Sequence, residues 1–488
     1  MNEQQRQGVL DSARYLRQVR PLDPEELADY VEGQPHPAAV RQVLREHAVG
    51  LSLIEREDGT FVPVEEGNAG QDSQAPRSSG EEARLVESLP ERYGRQVADL
   101  LVDELGAGWP DGDSGDRLRE RVRAFKSSYL HDEPVEYDRL TALGYAVYHL
   151  PAYYATVQYV LAGLAADGLL PAELRVLDVG AGVGGPALGL QDFLPAGTLV
   201  DYHAVEPSAA ADVLTALLGE TGRNFHTTVH RDRAEDFAPE STGAVDLLLV
   251  ANVLSELDDA AEALARYLDA LAADGTAVAL APADRETAIH LREVERAVEA
   301  TGASVYAPTL RLWPGERPAG ECWSFDRRPD IDVPALQRRL DEGERGTGAD
   351  TPSGRSPGDG EFVNVDVQYA YSLLRVDGRE RVSFTPDPDR LARMADTEAH
   401  VTDRVDCVGV KLSNDLGSGN PLFLVGDGSE QVDHFAVLTE TTTLNRTLAA
   451  ADYGAVLWFE NVLVLWNDDE GAYNLVVDSE TVVDPVTR

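Results

Sequence analysis

The residues best suited to chemistry lie in Leu174-Arg-Val-Leu-Asp-Val-Gly-Ala-Gly-Val-Gly-Gly185. Val176, Leu177 and Val179 form a short apolar run that suits a parallel strand covered on both faces, with Asp178 near its carboxyl end. Gly180, Gly182 and Gly184 allow a tight turn and a close backbone approach to a ligand that a Cβ would exclude. A strand, a glycine turn and a helix in this order make a site for a nucleotide-like ligand. Glycine turns of this kind also occur in dinucleotide sites and in purely structural turns, and Asp178 could cap the turn through its backbone amides.

Three downstream segments narrow the chemistry. Thr198-Leu-Val-Asp-Tyr-His-Ala-Val-Glu206 is a second apolar segment ending in an acid, where a carboxylate can accept both hydroxyls of a ribose. A dinucleotide site could use the same acid, and so could a solvated strand end. Val229-His-Arg-Asp-Arg-Ala-Glu-Asp-Phe237 places Asp232 after a third strand, near an adenine amino group, with Glu235 and Asp236 competing for that role. Val245-Asp-Leu-Leu-Leu-Val-Ala-Asn-Val-Leu-Ser-Glu-Leu257 reads as a buried fourth strand opening into a loop that carries Asn252 and Glu256. Asn252 could equally cap a following helix.

In order and spacing, these four segments resemble the class I S-adenosylmethionine-dependent methyltransferase superfamily. The resemblance implies an α/β fold with a Rossmann-like sheet and S-adenosylmethionine as cofactor. It implies cofactor contacts from Asp178, Gly180, Gly182, Gly184, Glu206, Asp232 and Asn252, and makes Asn252 and Glu256 the candidates for catalysis. Because the sulfonium already carries the reactive methyl, catalysis would consist mainly of holding a nucleophile in line with it. No Asn-Pro-Pro-Tyr motif follows the fourth strand, and no cysteine stands where a pyrimidine-C5 enzyme needs its nucleophile.

Leu150-Pro-Ala-Tyr-Tyr-Ala155, Val250-Ala-Asn-Val-Leu-Ser-Glu-Leu257 and Cys322-Trp-Ser-Phe-Asp-Arg-Arg328 narrow the resemblance further. Together they are similar to the methyltransferase-like family associated with the small ribosomal subunit, best known from mitochondrial ribosome assembly, over roughly residues 80 to 375. That family often carries a four-cysteine iron-sulfur site. This chain has two cysteines, Cys322 and Cys407, so no metal is expected. The resemblance implies ribosomal RNA or the small subunit as partner. Three functions follow: a methyltransferase acting on RNA, a cofactor-binding assembly factor without catalysis, or a winged-helix regulator that binds DNA.

The composition constrains the setting. Among 488 residues, 86 Asp plus Glu face 42 Lys plus Arg, a net charge of −44, and Lys126 and Lys411 are the lysines. This acidic, lysine-poor composition resembles proteins of salt-accumulating halophiles, in which dense carboxylates keep the chain solvated. At ~1 M salt the Debye length is ~3 Å, so net acidity does not exclude nucleic-acid partners. The cysteine usage fits a reducing cytoplasm, and no apolar run suggests a signal peptide or a membrane span.

The expected organisation has several modules. Residues 1–66 read as three helices and a hairpin turning at Asp58-Gly59, a winged-helix-like pattern with Arg41 and Arg45 on the third helix. Residues 67–80 form a linker, 81–170 a helical domain, and 171–376 the methyltransferase domain. Within the last, Cys322–Phe325 and Gln368–Leu374 are expected to pair as antiparallel strands, and 341–360 to be a disordered insertion. Residues 400–488 show five β-rich runs consistent with a small barrel of the oligonucleotide-binding kind, with Phe435, Trp458, Phe459, Trp466 and Tyr473 as candidate base-stacking faces. Tyr153, Tyr154 and Tyr159 read as core or lid packing.

Overall fold

The computed structural model describes residues 1–65, 67, 85–131, 135–316, 323–344 and 360–486. The expected linker, apart from Gly67, lies outside them, as do Cys322 and most of the expected insertion. Among the described residues, no helix is long and apolar enough to cross a membrane.

In chain order, the first elements are α1 (Glu3–Leu16), α2 (Pro24–Tyr30), α3 (Pro37–Glu46), β1 (Leu53–Glu55) and β2 (Phe61–Pro63). Four helices follow: α4 (Glu91–Leu105), α5 (Gly112–Leu130), α6 (Arg139–Tyr148) and α7 (Leu150–Ala166). Strands and helices then alternate through β3 (Glu173–Val179), α8 (Gly185–Phe193), β4 (Leu199–Val205), α9 (Ala210–Leu218), β5 (Phe225–His230), β6 (Val245–Ala251), α10 (Ala260–Leu268), β7 (Leu271–Pro282) and α11 (Arg285–Glu299). Next come β8 (Ser304–Ala307), β9 (Asp326–Arg328), α12 (Ala335–Glu342) and β10 (Val367–Arg375). The last are β11 (Arg404–Lys411), β12 (Leu422–Gly426), β13 (His434–Leu438), α13 (Thr447–Ala450), β14 (Val456–Asn467), β15 (Ala472–Val477) and β16 (Val482–Pro485).

The chain divides into two compact units: Met1–Arg77, Arg84–Leu249 and Asp330–Asp366 form one, and Ser78–Ala83, Val250–Pro329 and Val367–Arg488 the other. In the first, α1 begins at a reciprocal cap in which the Asn2 side chain accepts the Gln5 N–H and the Gln5 side chain answers. The three helices and the β1–β2 hairpin enclose a core that includes Val9, Val40, Leu44 and Phe61. In the same unit, β3, β4 and β5 run parallel, with Asp178 beside Ala204 and Val205 beside His230. Helix α7 lies close against α8, because a Cβ on Gly189 would fall 2.3 Å from Val157 Cγ1 and 2.5 Å from the Tyr154 carbonyl.

Within the first unit the strand order is β5-β4-β3-β6, and within the second it is β7-β10-β8 with β9 on β10. In the second unit, β10 runs antiparallel to β7 and β8. This corrects the expected pairing: Trp323, Ser324 and Phe325 form no strand, and β10 takes β8 and the short β9 as its neighbours. Cys322 itself falls outside the described residues. The expected insertion also begins too early. Asp341 is buried at the end of α12, where its carboxylate accepts the Gly360 and Phe362 N–H groups at 2.9 and 3.1 Å.

The C-terminal strands close into a barrel of order β11-β12-β13-β15-β14, with β14 returning to β11 and β16 added on β14. β13 and β15 are parallel and the other barrel neighbours antiparallel. Phe423, Phe459, Val462 and Leu475 fill the barrel core.

Candidate cofactor site

The glycine turn rests on its neighbours through the main chain. Gly180, Gly182 and Gly184 have φ of 69°, 54° and 92°, a left-handed region open to glycine at little cost. The N–H groups of Gly180 and Ala181 donate to the Val205 carbonyl at 2.9 and 3.2 Å, which ties the turn to the end of β4. Gly184 also needs its missing side chain, since a Cβ there would lie 2.6 Å from Leu214 Cδ1.

Glu206 and Asp178 are both buried here, in different electrostatic situations. Glu206 Oε2 accepts the Gly182 N–H at 2.9 Å, and Oε1 accepts the Ser208 N–H at 3.0 Å and the Ser208 hydroxyl at 2.5 Å. Asp178 is fully buried, and its Oδ2 accepts the Tyr202 hydroxyl at 2.5 Å. Its Oδ1 is buried without a hydrogen-bond partner. Burial raises the Asp178 pKa to about 7; the Tyr202 hydrogen bond opposes that rise and the Glu206 charge adds to it. An orphaned buried acceptor costs about 1–3 kcal/mol, and a ligand donor removes that cost. The ammonium and ribose hydroxyls of a nucleotide-type cofactor are such donors, so Asp178, Glu206 and the room left by the glycines fit the expected group.

Asp232 is exposed after β5, as is Asp236, whereas Glu235 pairs with Arg233 at 3.3 Å. The structure brings Asp178, the three glycines and Glu206 together and leaves Asp232 and Asp236 exposed and Glu235 half-buried. Asn252 and Glu256 belong to the second unit. Asn252 has φ 57° and donates its N–H to the Leu280 carbonyl at 2.9 Å. The alternative that it caps a helix does not hold, because Asp259 caps α10 by accepting the Glu262 N–H at 3.0 Å. Sequence reasoning missed Tyr202 and Ser208. The Glu-Pro-Ser run at 206–208 was a usable signal for the second, since a hydroxyl two residues beyond an acid favours a local turn.

The candidate sites outside the sheet are placed differently. Arg45 donates from Nε and Nη2 to the two Glu55 oxygens at 2.5 and 2.8 Å, and Arg41 Nε lies 3.9 Å from the same carboxylate. The Glu55 N–H donates to Asn224 Oδ1 at 2.8 Å, joining the hairpin to the start of β5. Among the barrel aromatics, Phe459 is core and is withdrawn as a stacking face. Trp466 is 40% exposed and meets Tyr473 edge to face at 4.8 Å. Cys407 is buried, and burial raises its thiol pKa. Among the described residues no group of three or more His, Cys, Asp or Glu is arranged to hold a metal.

Comparison with known proteins agrees with the central geometry. Residues 177–277 match the family described as a methyltransferase domain. Residues 6–57 and 395–486 match the N-terminal and C-terminal domains of a domain of unknown function, DUF8157. No curated protein matches the chain. Similar solved structures include an S-adenosylmethionine-dependent methyltransferase from Clostridium acetobutylicum ATCC 824, at 13% identity and TM-score 0.22, covering 27% of this chain and 50% of that one. The mitomycin 7-O-methyltransferase MmcR aligns at 15% identity and TM-score 0.26, over 62% of this chain and 88% of its own. The plantazolicin methyltransferase BpumL with SAH aligns at 16% identity and TM-score 0.23, over 43% and 71%. The chain thus spans half the length of the first of these structures. The family match covers the glycine turn, Glu206 and the strands β4, β5 and β6, so residues 177–277 form a methyltransferase-type domain.

Proposed function

We propose that this domain binds S-adenosylmethionine at Asp178, the Gly180–Gly184 turn and Glu206, and transfers its methyl group to RNA, with small-subunit ribosomal RNA as the substrate class. The observation that carries the cofactor reading is the buried, unpartnered Asp178 Oδ1 beside a glycine turn at the end of a parallel strand. Asp232 and Asn252 remain secondary candidates for cofactor contact, and Asn252 and Glu256 for catalysis. RNA as acceptor is supported by the barrel, whose strand order is that of oligonucleotide-binding barrels and whose Trp466 and Tyr473 offer ring faces. The ribosomal link rests on the sequence resemblance.

A second reading is an assembly factor that binds the cofactor and RNA without catalysis. It is favoured by the segment after β6, Asn252 to Leu257, which carries no Asn-Pro-Pro-Tyr motif. A DNA-binding regulator would need Arg41 and Arg45, which are engaged with Glu55. Incubating the protein in molar salt with methyl-labelled S-adenosylmethionine and small-subunit RNA separates the first two. Label on RNA that disappears in Asp178→Ala supports the enzyme. Cofactor binding without label, together with co-sedimentation with small-subunit precursors, supports the assembly factor.

A further inference from the structure

Among the polar atoms buried without a hydrogen-bond partner outside the glycine site, His149 Nε2 lies nearest in sequence to the helix that packs on the glycine turn. His149 links α6 to α7, and its ring lies within an aromatic cluster. It stacks on Tyr153 at 5.3 Å with 17° between planes, and lies 4.6 Å from Tyr145, 5.5 Å from Phe125 and 4.9 Å from Tyr148. The cluster is closed at His149 and reaches the surface at its rim. Tyr129, 6.2 Å from the His149 ring, is 40% exposed, and Tyr148 and Tyr153 are half-buried.

The histidine's hydrogen bonding fixes what it can offer. The Asn364 amide donates to the Tyr148 carbonyl at 3.1 Å, and its nitrogen lies 3.5 Å from His149 Nδ1. With Nδ1 as the acceptor, the ring proton of a neutral imidazole sits on Nε2. Burial lowers the His149 pKa to about 3, with the Lys126 charge adding to the effect, so the ring is neutral at physiological pH. It is therefore a poor proton acceptor and a suitable neutral donor. Lys126, one of two lysines in the chain, donates to the Glu361 carbonyl at 3.1 Å and holds its ammonium 4.6 Å over the Tyr148 ring, at the edge of the same cluster. The other lysine, Lys411, donates to the Ala449 and Ala451 carbonyls in the barrel.

The cluster adjoins the cofactor turn. A Cβ on Gly185, the first residue of α8 after the turn, would lie 2.9 Å from Tyr153 Cβ and 3.2 Å from the Leu150 carbonyl. We propose that the tyrosines around His149 form the seat of the methyl acceptor, holding a nucleobase against aromatic faces while His149 Nε2–H donates to an acceptor atom on its edge. His149 is then a specificity residue, with Lys126 suited to the backbone phosphate. This rests on the methyltransferase reading and deepens it.

The test uses the full-length protein in molar salt and the four ribonucleoside 5′-monophosphates as probes. Saturation-transfer NMR reads base contact, calorimetry reads S-adenosylmethionine affinity, and a melting curve reads the fold. We expect the wild type to show base-proton contact with at least one nucleotide. His149→Phe, which keeps the ring and removes the donor, should weaken that contact at least tenfold, leave S-adenosylmethionine affinity within twofold, and leave Tm unchanged or higher, because an unpartnered polar atom is gone. Tyr129→Leu, at the exposed rim, should weaken the contact with little change in Tm. Base contact without cofactor binding would support the seat and overturn the cofactor reading. Cofactor binding with no base contact, or base contact undiminished in both variants, would overturn the seat. Failure of both ligands to bind would overturn both.

Discussion

Two buried acids show how differently one chain can treat a carboxylate. Glu55, in the N-terminal hairpin, is met by Arg45 at both oxygens and approached by Arg41, so its charge is balanced within its own module. Asp178, at the end of β3, receives one hydroxyl and keeps a buried oxygen unpartnered. The first arrangement is complete as folded, which marks a structural pair. The second carries a polar cost that a further donor would remove, as the proposed cofactor site requires. Arg41 and Arg45, which suggest a nucleic-acid reader in the sequence, both reach this carboxylate from α3.

The largest effect that would sharpen this contrast is on cofactor affinity. Removing a charge-assisted contact should weaken S-adenosylmethionine binding by roughly ten- to a hundredfold in Asp178→Ala. Glu55→Gln should leave that affinity unchanged, and equal losses in the two variants would erase the distinction. Next is Gly184→Val. With φ at 92° and Leu214 at contact distance, a branched side chain should destabilise the fold by at least about 2 kcal/mol, read as a lower Tm. An unchanged Tm would show that the turn is not under the constraint described here. Glu55→Gln should itself cost about 1 kcal/mol, a modest figure because Arg45 is 45% exposed and solvent screens the pair.

A pH dependence separates the two acids further. The folded-state pKa of Asp178 is raised from 3.8 to about 7, so the native protein holds a proton that the unfolded chain has already released. The stability it confers is full below about pH 4 and is lost as pH rises through about 7. Ligand-free Asp178→Asn should therefore show a shallower loss of stability between those values than wild type, and match or exceed it at pH 8. If the two denaturation profiles superimpose, Asp178 is already ionised in the fold. The smallest expected effect is at the barrel surface. Trp466→Ala should leave Tm within a degree or so, because the side chain is 40% exposed, while weakening single-stranded RNA binding by the ~1–3 kcal/mol of one stacked base.

The parallel half of the sheet was legible because its signals are local. The apolar run at 176–179, the glycines after it and the acid ending the next strand each occupy a few consecutive residues, and the structure joins them through short backbone bonds. Pairings that depend on distant partners were not legible. The partner of β10 was expected at Cys322–Phe325, whereas the strand there begins at Asp326 and spans only three residues, and β8 takes the rest of that edge, because an antiparallel neighbour is chosen by sheet geometry and not by an apolar run alone. The barrel's added strand β16 is four residues long and ends in Pro485, too short and too irregular to carry a strand pattern. The orphaned oxygen of Asp178 and the orphaned nitrogen of His149 leave no trace in the sequence, since being unpaired is a property of surroundings.

In the proposed function, Asp178 and the glycine turn hold the methyl donor. Calorimetric titration of S-adenosylmethionine into wild type and Asp178→Asn, in molar salt at pH 8, tests it most directly. Saturable binding by the wild type and a loss of at least tenfold in the variant, with its Tm maintained, is the predicted result. No binding to the wild type, or equal affinity in the two proteins, would contradict it.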